Sequence, residues 1–213
     1  LPQYFSAWTE DDFRHLRGLY YGCISFMDEQ IGRLLQAVEQ RLDPRETIIL
    51  YTSDHGEILG DHGLMGKSAY HYDSCIRVPM IGRWEGHWQA GQRSRRMVEL
   101  TDLVPTLVAA AGLPAPEVCD GQSFADTLRG ETPANPRREV LVESWRGGPE
   151  DRSPVLCQWA RTLRDERYRV TFYPRSPHGE LFDLQADPGE LQNRWDDPAL
   201  AEVIRFASCP ARR

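Results

Sequence analysis

Residues 51–67, reading Tyr-Thr-Ser-Asp-His-Gly-Glu-Ile-Leu-Gly-Asp-His-Gly-Leu-Met-Gly-Lys, carry the densest ionisable chemistry in the chain. Asp54 and His55 supply a carboxylate and an imidazole, a pair suited to half of a metal site. Lys67 supplies a compact positive charge. The pair follows Thr47-Ile48-Ile49-Leu50, a β-branched apolar run bounded by charged residues, which predicts a strand. Neighbouring side chains on a strand point to opposite faces, so Asp54 and His55 act on one object only if the strand ends there and the backbone turns. Gly56 permits that turn. In open α/β sheets this edge is where ligands gather. On the dipeptide alone, Asp-His-Gly equally describes an ordinary turn with Asp54 bonding nearby amides and His55 solvated. Glu57, Asp61, His62 and Lys67, set among four glycines, weigh against so plain a loop.

The elements around this stretch follow from periodicity. Thr9 and Asp12 form a capping-box pattern, and Phe13, Leu16, Tyr20, Cys23, Met27, Ile31, Leu34 and Val38 recur at steps of three and four. That predicts a long helix ending near Leu42, with Asp28 and Glu29 on its solvated face. Residues 76–82 read as a buried strand that Pro79 confines to an edge or bulge, with Arg77 in a structural ion pair. Residues 93–99 read as a further strand. Thr101 is expected to cap a helix carrying Leu103, Val104, Leu107, Val108 and Ala111, and Ser123 with Asp126 to box a short one that Gly130 closes. Residues 131–138, polar with two prolines, mark a subdomain boundary. Beyond it, residues 140–142, 156–163, 168–173 and 180–184 read as successive strands of a small antiparallel sheet, followed by a terminal helix at 198–206.

Composition sets outer bounds. A chain of 213 residues can bury a core as one large or two modest domains. A formal charge of −7 argues against a nucleic-acid partner, while a small anionic substrate answers to the local field of a cleft. No apolar run reaches about 18 residues, so no transmembrane helix is expected. No charged-then-apolar leader precedes the first helix. Cys23, Cys75, Cys119, Cys157 and Cys209 are odd in number and lack paired spacing, so reduced, mostly buried thiols in a cytoplasmic protein are expected.

Taken in order, Asp54-His55-Gly56-Glu57, a glycine-flanked His62, Lys67, Ile76-Arg77-Val78-Pro79, residues 100–107 (Leu-Thr-Asp-Leu-Val-Pro-Thr-Leu), and the closing Glu180-Leu181-Phe182-Asp183-Leu184 with Asp187-Pro188-Gly189-Glu190 and Asn193 resemble the C-terminal portion of the sulfatases, within the alkaline-phosphatase-like superfamily. The motif style is nearest the phosphonate monoester hydrolase and choline sulfatase branch. The resemblance implies an α/β fold. Residues 1–131 would be part of a mixed-sheet sandwich with flanking helices, and 132–213 a small antiparallel-sheet α+β subdomain. It implies a metal-dependent sulfuric ester hydrolase, with phosphonate or phosphodiester hydrolysis as the alternative. Asp54 and His55 would ligate the metal, Lys67 would be catalytic and bind the substrate anion, and His71 would line the substrate pocket. Glu57, Asp61 and His62 are expected to order the loop. Calcium is the first candidate metal, with manganese, iron or zinc admitted by the softer imidazole.

The family's nucleophile, a formylglycine made from Cys or Ser in Cys/Ser-x-Pro-x-Arg, has no match: Cys209-Pro210-Ala211-Arg212-Arg213 fails at the proline position. The family's upstream aspartate ligands have no counterpart before Asp54 either. The chain therefore reads as a piece carrying half a metal site, and a non-catalytic fragment or binding module stands as the rival reading. Expected partners are a small sulfate or phosphonate ester and, through uncovered strand edges, further copies of the chain; neither nucleic acid nor membrane is expected.

Overall fold

In the computed structural model, which describes residues 7–67, 70–145, 159–174 and 176–208, helix α1 runs over Glu10–Arg41. Its start is set by the expected capping box: Thr9 Oγ1 accepts from the Asp12 amide at 3.3 Å and Asp12 Oδ2 accepts from the Thr9 amide at 2.7 Å. The helix is anchored at its two ends. Phe13 is buried against Gly60, Arg17 Nε donates to the Leu59 carbonyl at 2.9 Å, and far along the helix Glu39 pairs with Arg83. Between these anchors its apolar stripe stays largely exposed, including Leu19, Phe26 and Leu34.

Strand β1 (Ile49–Thr52) pairs antiparallel with β2 (Met80–Arg83), Ile49 opposite Arg83 and Thr52 opposite Met80. The strand expected at 76–82 is thus split. Residues Asp73–Ile76 form a one-turn helix, α2, and Pro79, which cannot donate to a ladder, sits just before β2. Arg77, which would need a structural partner if buried, is instead exposed and stands 3.6 Å from Asp73.

Residues 93–99 form no strand. Arg96 holds the segment instead, its buried guanidinium donating to Asp126 Oδ1 at 2.6 Å and to the Ser123 carbonyl at 3.0 Å. That draws Asp126 away from the expected capping box, and Phe124 is the residue that precedes α4 (Ala125–Leu128). Helix α3 (Leu103–Ala110) follows a 3₁₀ turn at Leu100–Asp102, and it is Glu99, not Thr101, that exchanges capping bonds with Asp102.

Strands β3 (Glu139–Trp145), β4 (Trp159–Asp165), β5 (Tyr168–Phe172) and β6 (Glu180–Asp183) form an antiparallel meander in sequence order, as expected; residues 156–158 lie outside the described residues. A 3₁₀ turn at Pro198–Leu200 and helix α5 (Ala201–Ala207) close the chain. Strand alternation and register put Ser144, Thr162, Arg164, Thr171, Arg169, Glu180 and Phe182 on one face of the sheet. This mostly polar face receives residues 70–76. Asp73 takes a two-pronged bond from Arg164 at 2.8 and 3.1 Å, and Arg169 lies 4.8 Å over the Tyr72 ring. Thr162, Arg169 and Thr171 are completely buried.

Residues 70–76 in turn grip the loop after β1. The Gly56 amide donates to the Cys75 carbonyl at 2.7 Å and the Glu57 amide to the Ser74 carbonyl at 3.1 Å. The backbones approach so closely that a Cβ on Gly56 would lie 2.0 Å from the Ser74 oxygen. Gly56 is therefore required by close approach, where the sequence suggested a turn. Gly56→Ala should lower stability by at least about 2 kcal/mol through this clash with backbone. Urea unfolding of the two proteins measures it, and a change below about 0.5 kcal/mol would contradict the close approach.

Candidate functional site

Asp54 and His55 leave the end of β1 in a turn pinned by Ser53, whose hydroxyl donates to the His55 carbonyl at 2.9 Å. The Asp54 carboxylate accepts from the His55 amide at 3.0 Å, and its other oxygen stands 3.5 Å from His55 Nε2. Burial is the largest single influence on Asp54 and raises its pKa. The backbone amide bonds it accepts, from His55 foremost, and the neighbouring His55 and Lys67 side chains together outweigh it, so the net direction is down and the group stays anionic. His55 Nδ1 lies 2.8 Å from the Gly56 carbonyl, an oxygen that can only accept, so Nδ1 carries the proton and Nε2 presents its lone pair.

The thirteen residues from His55 to Lys67 then fold back on themselves. Leu59, Gly60, His62, Gly63 and Gly66 all have positive φ, which is why the loop needs its glycines. Bonds from the Gly60 amide to the Leu64 carbonyl at 2.8 Å and from Ile58 to Gly66 at 3.3 Å close it. Ile58, Leu64 and Cys75 form a small apolar core beneath it, against Tyr70 and Tyr72. His62 stacks on Tyr72 with ring centres 3.8 Å apart, and Glu57 accepts from the Ile58 amide at 3.0 Å, so both order the loop. The result returns Lys67 Nζ to His55 Nε2 in a direct hydrogen bond. Three of the four expected site residues, Asp54, His55 and Lys67, therefore meet at one exposed point.

The chain is similar to known proteins along most of its length. A sulfatase family model matches residues 2–113, and a model described as N-sulphoglucosamine sulphohydrolase, C-terminal, matches residues 60–208. The chain belongs to the sulfatase family. It is 33% identical to the multifunctional alkaline phosphatase superfamily protein PehA of Trinickia caryophylli, over 92% of this chain and 39% of that protein. It is 29% identical to the delta 4,5-hexuronate-2-O-sulfatase of Bacteroides thetaiotaomicron, over 92% of this chain and 40% of the relative. Among solved structures, the phosphonate monoester hydrolase of Agrobacterium radiobacter superposes with a TM-score of 0.85 at 32% identity, covering 94% of this chain and 41% of that one. The chain thus spans about two fifths of the relatives it matches, and the α/β, alkaline-phosphatase-like reading of its fold stands.

Sulfatases are generally metal-dependent enzymes that carry formylglycine. Asp54 and His55 fit one side of such a metal. Ligand bonds to nitrogen and oxygen run about 2.0–2.2 Å, so donors 3.5 Å apart can touch one ion. The Gly56 carbonyl on Nδ1 is the backing that metal-binding histidines commonly have. A cationic group, the Lys67 ammonium, already lies on the His55 member of this pair. Among the described residues no group of three or more His, Cys, Asp or Glu gathers around one point, and at this site they bring together two such groups, Asp54 and His55.

His71 does not join them. It is 1% exposed, its Nδ1 lies 2.8 Å from Thr162 Oγ1 and its Nε2 2.5 Å from Ser144 Oγ, so both nitrogens are spent on the β-sheet and none faces a substrate. The pocket role expected for His71 is corrected to a structural one. Its aromatic neighbours are visible in the sequence, but the two hydroxyls lie 73 and 91 residues away. The thiols also differ from expectation: Cys75 is buried, whereas Cys23 and Cys119 are exposed, and Cys157 and Cys209 lie outside the described residues.

Burial first, and the Arg169 charge second, push the His71 pKa down to about 4 from 6.5. Between those values the unfolded chain binds the extra proton, so stability is full above about pH 6.5 and falls toward pH 4, by roughly 3 kcal/mol in all. In urea titrations at pH 7, 5.5 and 4.5, His71→Gln should show a much shallower decline than the parent. An identical pH slope would show that His71 is not its source.

Proposed function

We propose that the protein carrying this chain is a metal-dependent sulfuric ester hydrolase acting on a small-molecule sulfate ester. The observation that carries the reading is the convergence of an anionic carboxylate, an imidazole of fixed tautomer and an ammonium at the end of β1, in a chain of the sulfatase family. Residues 1–131 are assigned to its catalytic α/β domain and 132–213 to its C-terminal subdomain. The exposed apolar stripe of α1 supports further covering structure in the whole protein.

In this reading Asp54 and His55 supply one carboxylate oxygen and the Nε2 lone pair to the cation, and Lys67 binds the ester anion. When bound, the cation supplies Lewis acidity toward the ester oxygens. Lys67 adds fixed positive charge where the bridging oxygen becomes negative, an effect that favours the transition state over the ground state. The low pKa of Asp54 keeps the ligand deprotonated through the neutral range. Calcium, which prefers oxygen ligands, is the first candidate cation, and the imidazole donor also admits manganese, iron or zinc.

Phosphonate monoester or phosphodiester hydrolysis is the second reading, supported by the likeness to the Agrobacterium radiobacter enzyme and to PehA. Relative kcat/KM on an aryl sulfate and an aryl phosphonate monoester separates the two. Asp54→Ala in the intact protein should abolish stoichiometric metal and turnover together; retention of both would overturn the assignment. Lys67→Met should lower kcat by about 10²–10³-fold, the effect of removing one transition-state donor. Its metal affinity should hold or rise, because the ammonium competes for the same lone pair. A fall in metal content measured by atomic absorption would contradict that role.

A further inference from the structure

We infer that Glu190, buried 117 residues beyond Asp73 in sequence, is a positioning residue for His55. The inference rests on the reading of His55 as a metal ligand. One Glu190 oxygen is bonded by Arg169 Nε, and the other accepts from the Asp73 amide at 2.8 Å. Asp73 opens α2, and no side chain of the preceding Tyr72 caps that turn, so the Glu190 carboxylate is what satisfies it. The next two carbonyls of α2, those of Ser74 and Cys75, hold the Glu57 and Gly56 amides.

The last link is within a single peptide unit. The Glu57 N–H and the Gly56 C=O belong to one planar group, in which a trans peptide points them in opposite directions. Fixing the N–H on the Ser74 oxygen therefore aims the C=O at His55 Nδ1, which lies 2.8 Å from it. That bond sets both the tautomer and the ring orientation, hence where the Nε2 lone pair points. Gly56 leaves no slack in the chain of contacts, since its backbone abuts that of Ser74 directly. Glu190 itself adopts a left-handed φ of 55°, which a non-glycine residue holds only when its surroundings demand it. Arg169 keeps the carboxylate in place, and is itself fixed by Thr171 Oγ1 at 2.7 Å, Glu180 at 3.0 Å, and the Tyr72 and Phe182 rings.

Glu190→Asp in the intact protein tests this. It keeps the buried charge beside Arg169 and suits a left-handed φ, but is too short to reach both Arg169 and the Asp73 amide. The variant should keep the parent's near-ultraviolet circular dichroism. Its Mn²⁺ affinity by calorimetry should fall about 10-fold or more, the usual effect of losing a group behind a metal ligand. In the metal-free protein, ¹⁵N spectra of His55 should change from a single Nδ1–H tautomer to a mixture. A folded Glu190→Asp protein with parental Mn²⁺ affinity and a single Nδ1–H tautomer overturns the inference. If Glu190→Asp does not fold, Gly56→Ala, which displaces the same peptide unit, takes its place: weakened Mn²⁺ binding with mixed tautomers supports the inference, and parental values of both overturn it. His55→Ala is the control: if it binds Mn²⁺ as tightly as the parent, the metal-ligand reading fails, whereas its loss of binding beside a parental Glu190→Asp fails this inference alone.

Discussion

A guanidinium with no access to water has to be met by acceptors from the protein, and Arg169 sets that requirement at the centre of this chain. Glu190 and Glu180 answer its charge, Thr171 takes another donor, and the neighbouring Tyr72 and Phe182 rings pack against the guanidinium. Removing one partner of such a group leaves an uncompensated buried charge, so each constrains the others. The strand that carries Arg169, the turn that carries Glu190 and the Tyr72 segment are thereby fixed relative to one another. Around this centre the Asp73–Arg164 pair and the two His71 hydroxyl contacts repeat the same tie at a few ångströms' remove.

The first half of the chain depends on that tie because its own sheet is slight. Strands β1 and β2 pair only with each other among the described residues, and α1 is tied to β2 through Glu39 and Arg83 and to the loop after β1 through Arg17 and Leu59. What holds the Asp54–His55 turn is the backbone of residues 73–76, and what holds those residues is the four-stranded sheet. A second polar knot does the same further along. Asp102, 1% exposed, accepts from Glu99 and Gln122 amides and from Arg137, while Glu99 accepts from the Leu141 amide, joining α3 to β3. Apolar burial in the loop is confined to a few residues, so directional bonds rather than core volume define its shape.

Much of this was legible in the sequence, and the parts that were not share one cause. The capping box at Thr9 and the meander of 139–183 rest on local signals, and each is present. Asp54, His55 and Lys67 were legible as a group because ordered motifs flank them. The polar face of the meander was not. Thr162, Arg164, Arg169, Thr171 and Glu180 alternate with apolar residues in the manner of a solvent-facing strand, yet that face is the one covered by residues 70–76. Alternation reports a difference between faces and is silent on which partner covers the polar one. The same blindness misassigned His71, whose partners are remote in sequence, and turned 93–99 into a strand, because Arg96's buried acceptors lie 27 to 31 residues away.

The arc between His55 and Lys67 has a final consequence. Its shape comes from a fixed order of left- and right-handed backbone states, with Leu59 and His62 held in the former beside three glycines. Such an arc behaves as a counted length: side chains along its outer edge are free to drift, but adding or dropping one residue shifts every later handedness by a step. Lys67 would then emerge from the wrong side of the loop. Register, more than composition, is what identifies this site in a distant homologue.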